Sequence, residues 1–535
     1  MLAARPLSLY ASAICLWLAS PILAISLSKC SSQDISLPDL PGVTKLSVTA
    51  ERLENFHIVA EDANPERQYD VSLNFCNVTI NYAHQGWRDN VQVTVWLPLK
   101  GWNGRLSGIG GAGLSSLWTD NRFAPAVSRG YAAVGTDAGH ARNPIDATSW
   151  ALDAAGNVNF FLVQNFFALS QNEAAIIAKK VIADLYGQGP RYSYWDGCST
   201  GGRQGLMLAQ RYPTAYDGIL AGAPAINWAT FVPGMYYPKF VMDQEGHQLS
   251  QCAFDAIRNA TVKACDGLDG VEDGIISALD QCDFDPRSLV GKKFDCNGEA
   301  IKIAAKDAAI VQKFWDGPKQ RDGSFMWYGM SKGVELKGLG GAPCTLAECA
   351  GVPFQIASDW IKLFVLQDPN LDLSTLSPEG YEAAVNLSVN AYRSVASNDN
   401  PDLTEFRQAG GKLLHWHGTD DQQIYAKGSE NYYNKVEARH ASVRDFYRFF
   451  FAPGVAHCGY GHGLLPEDPF SALIDWVEDG KAPDTLSAAT ADGSYRRNLC
   501  PYPQVPAYRG GDPAKASSFH CQDSYENPDL KDELT

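Results

Sequence analysis

The pentapeptide Gly197-Cys198-Ser199-Thr200-Gly201 follows an apolar run that reads as a strand, Tyr192 to Trp195, and precedes a helical run, Gly205 to Arg211, stopped by Pro213. A Gly-x-Ser-x-Gly sequence in that setting places a serine on a sharp, strained strand-to-helix turn. Gly197 and Gly201 are small enough to let Ser199 project over the edge of a sheet, with the Thr200 amide facing an oxyanion. A chain built this way has to supply a mainly parallel sheet around the turn.

The rest of the sequence is consistent with that demand. Short apolar strands at Val91 to Leu97, Arg105 to Ile109 and Tyr131 to Thr136 precede a helix over Gln171 to Tyr186, and another strand runs from Gly218 to Ala221. Strands alternating with helices predict an α/β fold. From about residue 228 to 400 the rhythm changes to clustered glycines, acidic residues, cysteines and aromatics, which predicts an inserted domain. The βα pattern returns at Lys412 to His417, and a helix is expected over Pro469 to Glu478. The expected division is therefore 1–24 as a leader, 25–227 and 401–535 as two parts of one catalytic domain, and 228–400 as a lid.

Of 535 residues, 45% are hydrophobic and 19% charged, which excludes a disordered chain. The net charge of −16 would repel a phosphate backbone, so no nucleic-acid partner is expected. The leader holds Arg5, an apolar run from Leu7 to Leu23 and small residues near Ala24, the layout of a secretory signal. Ser8, Ser12, Ser20 and Pro21 interrupt it, and no later segment offers ~18 uninterrupted apolar residues, so no membrane span is expected and the protein reads as extracellular. Lys531-Asp532-Glu533-Leu534 is followed by Thr535 and so is not a terminal retention tag. Of thirteen cysteines Cys15 leaves with the leader, and the remaining even number, without Cys-x-x-Cys spacing, predicts disulfides in an oxidising compartment. Sequons at Asn77, Asn259 and Asn386 point the same way, each requiring an exposed asparagine.

A serine hydroxyl needs a histidine to take its proton and a carboxylate to orient that histidine, and at a Gly-x-Ser-x-Gly turn the chain order is Ser, acid, His. Two carboxylates, Asp420 and Asp421, follow the strand Lys412 to His417 at its carboxyl end, where ligands gather in such sheets. Two histidines, His457 and His462, lie in a later glycine-rich loop. His462, His415 and His417 read as structural or solvated residues. Cys198 adjoins Ser199 and Cys458 adjoins His457; a bond between them would bring base and nucleophile together, although each could pair elsewhere.

Those neighbours carry a resemblance. Cys198-Ser199, His457-Cys458, Trp102-Asn103-Gly104-Arg105, the glycine loop from Gly108 to Gly113, and Gly222-Ala223-Pro224 together resemble the secreted tannase and feruloyl esterase family. The resemblance implies an α/β-hydrolase fold, a Cys198–Cys458 disulfide across the site, Ser199 as nucleophile, His457 as base and Asp421 as acid, with Asp420 the runner-up. It also implies an oxyanion hole from the Thr200 amide and the glycine loop. Ala112 departs from the family's usual four glycines, so both Gly110 and Gly111 are candidates for the second amide.

The loop Cys265 to Ile275 sets acidic residues among glycines, a composition suited to Ca²⁺, although its spacing is not that of an EF-hand. The resemblance implies a structural Ca²⁺ held by side chains of Asp266, Asp269 and Asp273 and carbonyls of Val271 and Ile275, with no organic cofactor. Trp228, Phe231, Tyr236, Tyr237 and Phe240 open the insertion and are expected either to wall a pocket for an aromatic acyl group or to form ordinary lid core. The expected activity is a serine esterase releasing hydroxycinnamic acids, of the feruloyl kind, from plant cell-wall polysaccharide esters. Galloyl ester hydrolysis, as in a tannase, is the close alternative. A calcium-stabilised carbohydrate-binding protein without catalysis is the alternative of another class.

Overall fold

The computed structural model describes residues 27, 29–335 and 354–525. The leader, Cys344, Cys349 and the Lys531 to Leu534 segment lie outside the described residues. Nine strands form one sheet: β1 (Val43–Ala63), β2 (Glu66–His84), β3 (Val91–Pro98), β4 (Arg105–Ile109), β5 (Ala132–Thr136), β6 (Tyr192–Cys198), β7 (Gly218–Gly222), β8 (Lys412–Gly418) and β9 (Tyr447–Ala452). Their spatial order is β1-β2-β3-β5-β4-β6-β7-β8-β9. The pairs from β5 onward are parallel, and β1, β2 and β3 are joined antiparallel at one edge. Residues 223–411 contribute no strand to this sheet among the described residues.

The parallel strands are buried on both faces, so consecutive side chains enter different cores. Tyr194, Leu220, Leu414 and Phe450 pack under helix α3 (Pro469–Asp479), against Phe470, Leu473 and Trp476. Their neighbours Trp195, Ile219, Leu413 and Phe449 pack on the opposite face with Leu206 and Met207 of helix α2 (Thr200–Arg211). Helix α3 is fastened to the sheet by a forked pair, in which Arg105 Nε and Nη2 donate to Glu478 at 2.6 and 2.7 Å, and the Tyr194 hydroxyl donates to the same carboxylate at 2.7 Å.

The first two strands were not expected from the sequence. Much of β1 and β2 is solvated and rich in charge, so no clean two-residue apolar alternation marks them. β9 was also missed, because Phe449, Phe450 and Phe451 form a continuous apolar run with no polar alternation. The sheet strands that were expected recur with bounds shifted by at most a few residues, and helix α2 begins at Thr200, five residues earlier than expected. The described residues between β7 and β8 are mainly helical and pack around Trp228, Trp360, Phe364 and Tyr381 in an apolar core that also takes in Trp150, Phe166 and Phe167.

Five disulfides occur among the described residues: Cys30–Cys76, Cys198–Cys458, Cys252–Cys296, Cys265–Cys282 and Cys500–Cys521. Asn259 and Asn386 are exposed. Asn77 is not: it sits in β2 between β1 and β3, half-buried, with its Oδ1 enclosed and unpartnered, which corrects the expectation of a solvent-facing sequon there. No helix among the described residues is long and apolar enough to cross a membrane.

At the end of β2 a buried ion cluster joins the sheet to helix α1 (Ser170–Tyr186). His84 Nδ1 meets Asp89 at 2.6 Å and Nε2 meets Glu173 at 2.9 Å, while the Tyr82 hydroxyl donates to Glu173 at 2.6 Å. Burial works against the imidazolium, but the two carboxylates prevail and raise the His84 pKa from 6.5 to about 9. A group whose pKa rises on folding adds stability that is whole below the unfolded value and fades as pH climbs through the folded one. Urea unfolding should therefore show a fall in stability between pH 6.5 and above 9 that is absent in His84→Gln. His84→Leu, which strands two buried carboxylates, should cost about 3–5 kcal/mol at pH 7.

Candidate active site

The turn after β6 is as strained as its sequence demands. Ser199 has φ 61° and ψ −122°, a conformation that non-glycine residues rarely adopt. Space around it is made by glycines at close backbone approach. A Cβ at Gly110 would lie 2.6 Å from Gly201 Cα and 2.9 Å from Gly197 Cα, so loop, strand and helix touch through their main chains. The Ser199 amide donates to the Gly222 carbonyl at 3.0 Å, and its carbonyl accepts from Arg203 and Ala225 at 3.0 and 3.1 Å. The backbone under the hydroxyl is thus held from three directions.

The Cys198–Cys458 bond spans 260 residues with Cα atoms 5.9 Å apart, and so sets His457 beside the serine turn. His457 is 7% exposed. Its Nδ1 donates to Asp421 Oδ2 at 2.8 Å, and its backbone amide donates to Gln422 Oε1 at 3.1 Å. Asp421 Oδ1 accepts from the amides of Gln423 and Ile424, both at 2.8 Å. Burial alone would raise the Asp421 carboxyl, but the His457 and His417 imidazoles hold it well below the usual carboxylate range. The same carboxylate raises the His457 imidazole above its ordinary 6.5, against the pull of desolvation.

Asp420, the other carboxylate at this strand end, makes no contact of this kind. Its side chain meets the Thr419 hydroxyl at 3.3 Å and lies against Gly333, where a Cβ would fall 2.5 Å from Oδ2. Burial pushes its pKa up to about 6, with Arg258 acting in the opposite direction. His462 is exposed, and His415 is buried with Nδ1 against the Tyr447 hydroxyl at 2.8 Å. His417 is different: it is fully buried, and its Nε2 reaches Asp421 Oδ2 at 3.2 Å.

Two expectations about the glycine loop are corrected. The Gly110 amide donates to the Asp196 carbonyl at 3.0 Å and the Gly111 amide to Gln204 Oε1 at 2.9 Å, so both are already committed to protein acceptors. Thr200 opens helix α2, where its amide has no intrahelical acceptor. Its hydroxyl donates to the Gly113 carbonyl at 2.6 Å, which ties the loop to the helix start.

The five aromatics between Trp228 and Phe240 pack into a buried apolar cluster. Trp228, Phe231, Tyr236 and Phe240 are buried in a cluster that also takes in Trp150, Phe166 and Tyr425, and Tyr237 packs partly buried against it. Trp228 faces Arg203, a buried guanidinium held over Phe166, Phe167 and Trp228 at 4.9, 4.7 and 5.6 Å. Arg203 donates to the Phe167 carbonyl and Asn398 Oδ1, and burial, aided by Arg211, lowers its pKa to about 9. Arg203, Gln204 and Gln422 were not singled out from the sequence, since polar residues in a helix or loop carry no signal that they will be enclosed.

In the acidic loop, Asp266 accepts from the amides of Asp273, Gly274 and Ile275, and Asp269 from that of Val271. Asp273, whose side chain is 1% exposed, pairs with Arg497 at 2.8 Å. Of the three carboxylates, Asp273 is the one paired with that guanidinium, while Asp266 and Asp269 are held by main-chain amides. No group of three or more metal-ligating side chains in holding geometry occurs among the described residues, so any ion here would have to draw on main-chain oxygens as well.

The family profile described as tannase and feruloyl esterase matches residues 76–522. The chain belongs to that family. A probable feruloyl esterase of Arthroderma benhamiae is 41% identical over 500 residues, covering 91% of this chain and 92% of the relative. A tannase of Aspergillus oryzae is 30% identical, covering 84% and 85%. Among solved structures, tannin acyl hydrolase from Aspergillus niger superposes with a TM-score of 0.82 at 26% identity, over 92% of this chain and 95% of the other. Feruloyl esterase B from Aspergillus oryzae gives 0.76 at 26% identity, over 91% and 98%. The fold is that of an α/β-hydrolase, and the protein is a carboxylic ester hydrolase, a chemistry that needs no organic cofactor.

Proposed function

We propose that this enzyme is an extracellular serine esterase acting on hydroxycinnamoyl esters of plant cell-wall polysaccharide through Ser199, His457 and Asp421. The observation that carries the assignment of residues is the 2.8 Å contact from His457 Nδ1 to Asp421, in a loop covalently bonded to the residue before Ser199. That contact leaves Nε2 for the serine proton. Ser199 attacks the ester carbonyl, His457 takes the hydroxyl proton and delivers it to the leaving alcohol, and water then repeats the sequence to release the acid. The Thr200 amide stabilises the oxyanion, a donor worth roughly 3 kcal/mol in the barrier.

The acyl preference rests on the relatives. The 41% identical relative is named as a probable feruloyl esterase and the tannase is more distant, which favours a feruloyl over a galloyl substrate. The buried lid aromatics support an apolar wall only through whatever edges they present to the site, and no single one is assigned as a contact. Turnover of methyl ferulate, methyl caffeate and methyl gallate compared side by side should rank the gallate last. A gallate kcat/KM above that for ferulate would reverse the substrate reading while leaving the esterase intact.

A serine-directed phosphonate should label the protein once, and Ser199→Ala should abolish labelling. Asp421→Asn should lower kcat by about 10³–10⁴-fold, whereas Asp420→Asn should stay within about tenfold of the parent. Because His457 must be neutral to act and its pKa is raised, the acid limb of kcat/KM should lie above pH 6.5. The reverse ranking of the two aspartates would reassign the acid.

The insertion is proposed as a lid stiffened by Ca²⁺, with Asp266, Asp269 and Asp273 and the carbonyls of Val271 and Ile275 as donors. The support is a surplus of negative charge that Arg497 alone does not neutralise. The ion would supply positive charge to the loop and take no part in ester cleavage. Chelation by EGTA should lower the melting temperature, with recovery on added Ca²⁺ but not Mg²⁺; an unchanged melting temperature would remove the ion from the account. Glycans are proposed at Asn259 and Asn386 only.

A further inference from the structure

The acid of the proposed triad has a second imidazole behind it. His417 is the penultimate residue of β8, and both its side chain and that of Asp421 are fully buried. Its Nε2 lies 2.8 Å from the Ile424 carbonyl, which can only accept, so Nε2 carries hydrogen. That same N–H reaches Asp421 Oδ2 at 3.2 Å. In the neutral ring the Ser429 hydroxyl, on the helix Lys427–Arg439, donates to Nδ1 at 2.7 Å and fixes the tautomer. Oδ2 of Asp421 therefore sits between two imidazoles, His457 in front and His417 behind, while Oδ1 is held by two loop amides.

We propose that His417 is a positioning residue for this esterase: it clamps the carboxylate of Asp421 and the loop through Ile424, and so aims Asp421 at His457. The inference rests on the triad reading above. A buried histidine bonded only to neutral main chain would be a core residue and nothing more. Here one N–H closes the turn at Ile424 and shares the oxygen that orients the catalytic base. Without it Oδ2 would have one donor fewer and the Ile424 carbonyl would lose its hydrogen bond from β8. Of the titratable groups around it, Asp421 faces it directly, His457 faces it through Asp421, and His415 lies on the same strand with ring centroids 6.2 Å apart. Its helix-side neighbour, Ser429, does not titrate.

The test uses the full-length enzyme. His417→Leu should lower kcat between about 10- and 100-fold with KM within twofold. His417→Gln, which keeps an N–H for Ile424 and Asp421, should recover most of the loss. The acid limb of kcat/KM should move to higher pH in the leucine variant, because a carboxylate with fewer donors pulls harder on the His457 proton. Wild-type kcat in His417→Leu, an unmoved acid limb, or no advantage of glutamine over leucine would overturn the proposal. Should the leucine variant not fold, Ser429→Ala decides with His417→Gln. A kcat loss in the first beside retention in the second supports the clamp, and any other pairing overturns it. Asp421→Asn is assayed alongside. If it keeps turnover, the triad reading itself has failed; if it is inactive while His417→Leu is wild type, only the positioning role falls.

Discussion

The bond between Cys198 and Cys458 is the constraint on which the catalytic edge depends. Hydrogen bonding within the sheet places β6 two strands away from β8, and β9 one strand further, so the turn after β6 and the loop after β9 have no direct backbone pairing. The disulfide supplies that contact covalently. Closing a segment of 260 residues contributes about 5 kcal/mol in the chain-entropy description. More to the point for chemistry, it fixes the separation of two main chains whose next residues are Ser199 and His457, a separation that noncovalent packing of a glycine-rich loop would leave loose. The cost of a positive φ at Ser199 is borne by the same framework, through the amide bonds to Gly222 and Ala225 and the glycine contacts at Gly110 and Gly201.

Around this frame several buried charges are matched by partners within direct reach. Asp421 is matched by His457 and His417, the Arg203 guanidinium by aromatic faces and carbonyl oxygens, and His84 by Asp89 and Glu173. Among the described residues Arg203 has no carboxylate as a hydrogen-bonding partner. Its charge is carried by Phe166, Phe167 and Trp228, so helix α2, which follows the Ser199 turn, and the start of the segment after β7 share one contact. Gly333, against Asp420, marks a second contact between the residues that follow β7 and the carboxyl end of β8.

How much of this was legible beforehand follows from how local each signal is. The serine turn was readable because strand, glycines and helix are consecutive in sequence. The choice between Asp420 and Asp421 was not readable from residue type, since both are buried carboxylates one position apart. What separates them is that Asp421 folds back onto the amides two and three residues ahead, leaving Oδ2 for imidazoles, a turn geometry available to aspartate but not announced by neighbours of equal type. His417 looked like a core histidine because its partners come from residues 421 to 429, across a turn. The glycine-loop amides misled for a similar reason: Gly110 continues the backbone pairing toward β6, and Gly111 is claimed by a glutamine 93 positions away in sequence. β1 and β2 escaped because much of their length is solvated, and Asn77 was misjudged because its sequon falls inside one of them.

The C-terminal residues bear on the insertion in a way that the sequence order conceals. Arg497 lies on a short strand after α3, yet its guanidinium is buried against Asp273 of the acidic loop and over the ring of Phe519 at 3.7 Å. Cys500–Cys521 closes the tail around that arginine, and Cys265–Cys282 closes the loop around the aspartates. The closed acidic loop and the strand that leads into the closed tail therefore meet in an ion pair, and that pair lies in a surplus of negative charge. A cation bound to the loop would relieve repulsion among the three carboxylates and let Asp273 keep its bond to Arg497. Withdrawing positive charge from either source leaves the other to hold the insertion against the tail, so their contributions to stability should be coupled rather than additive.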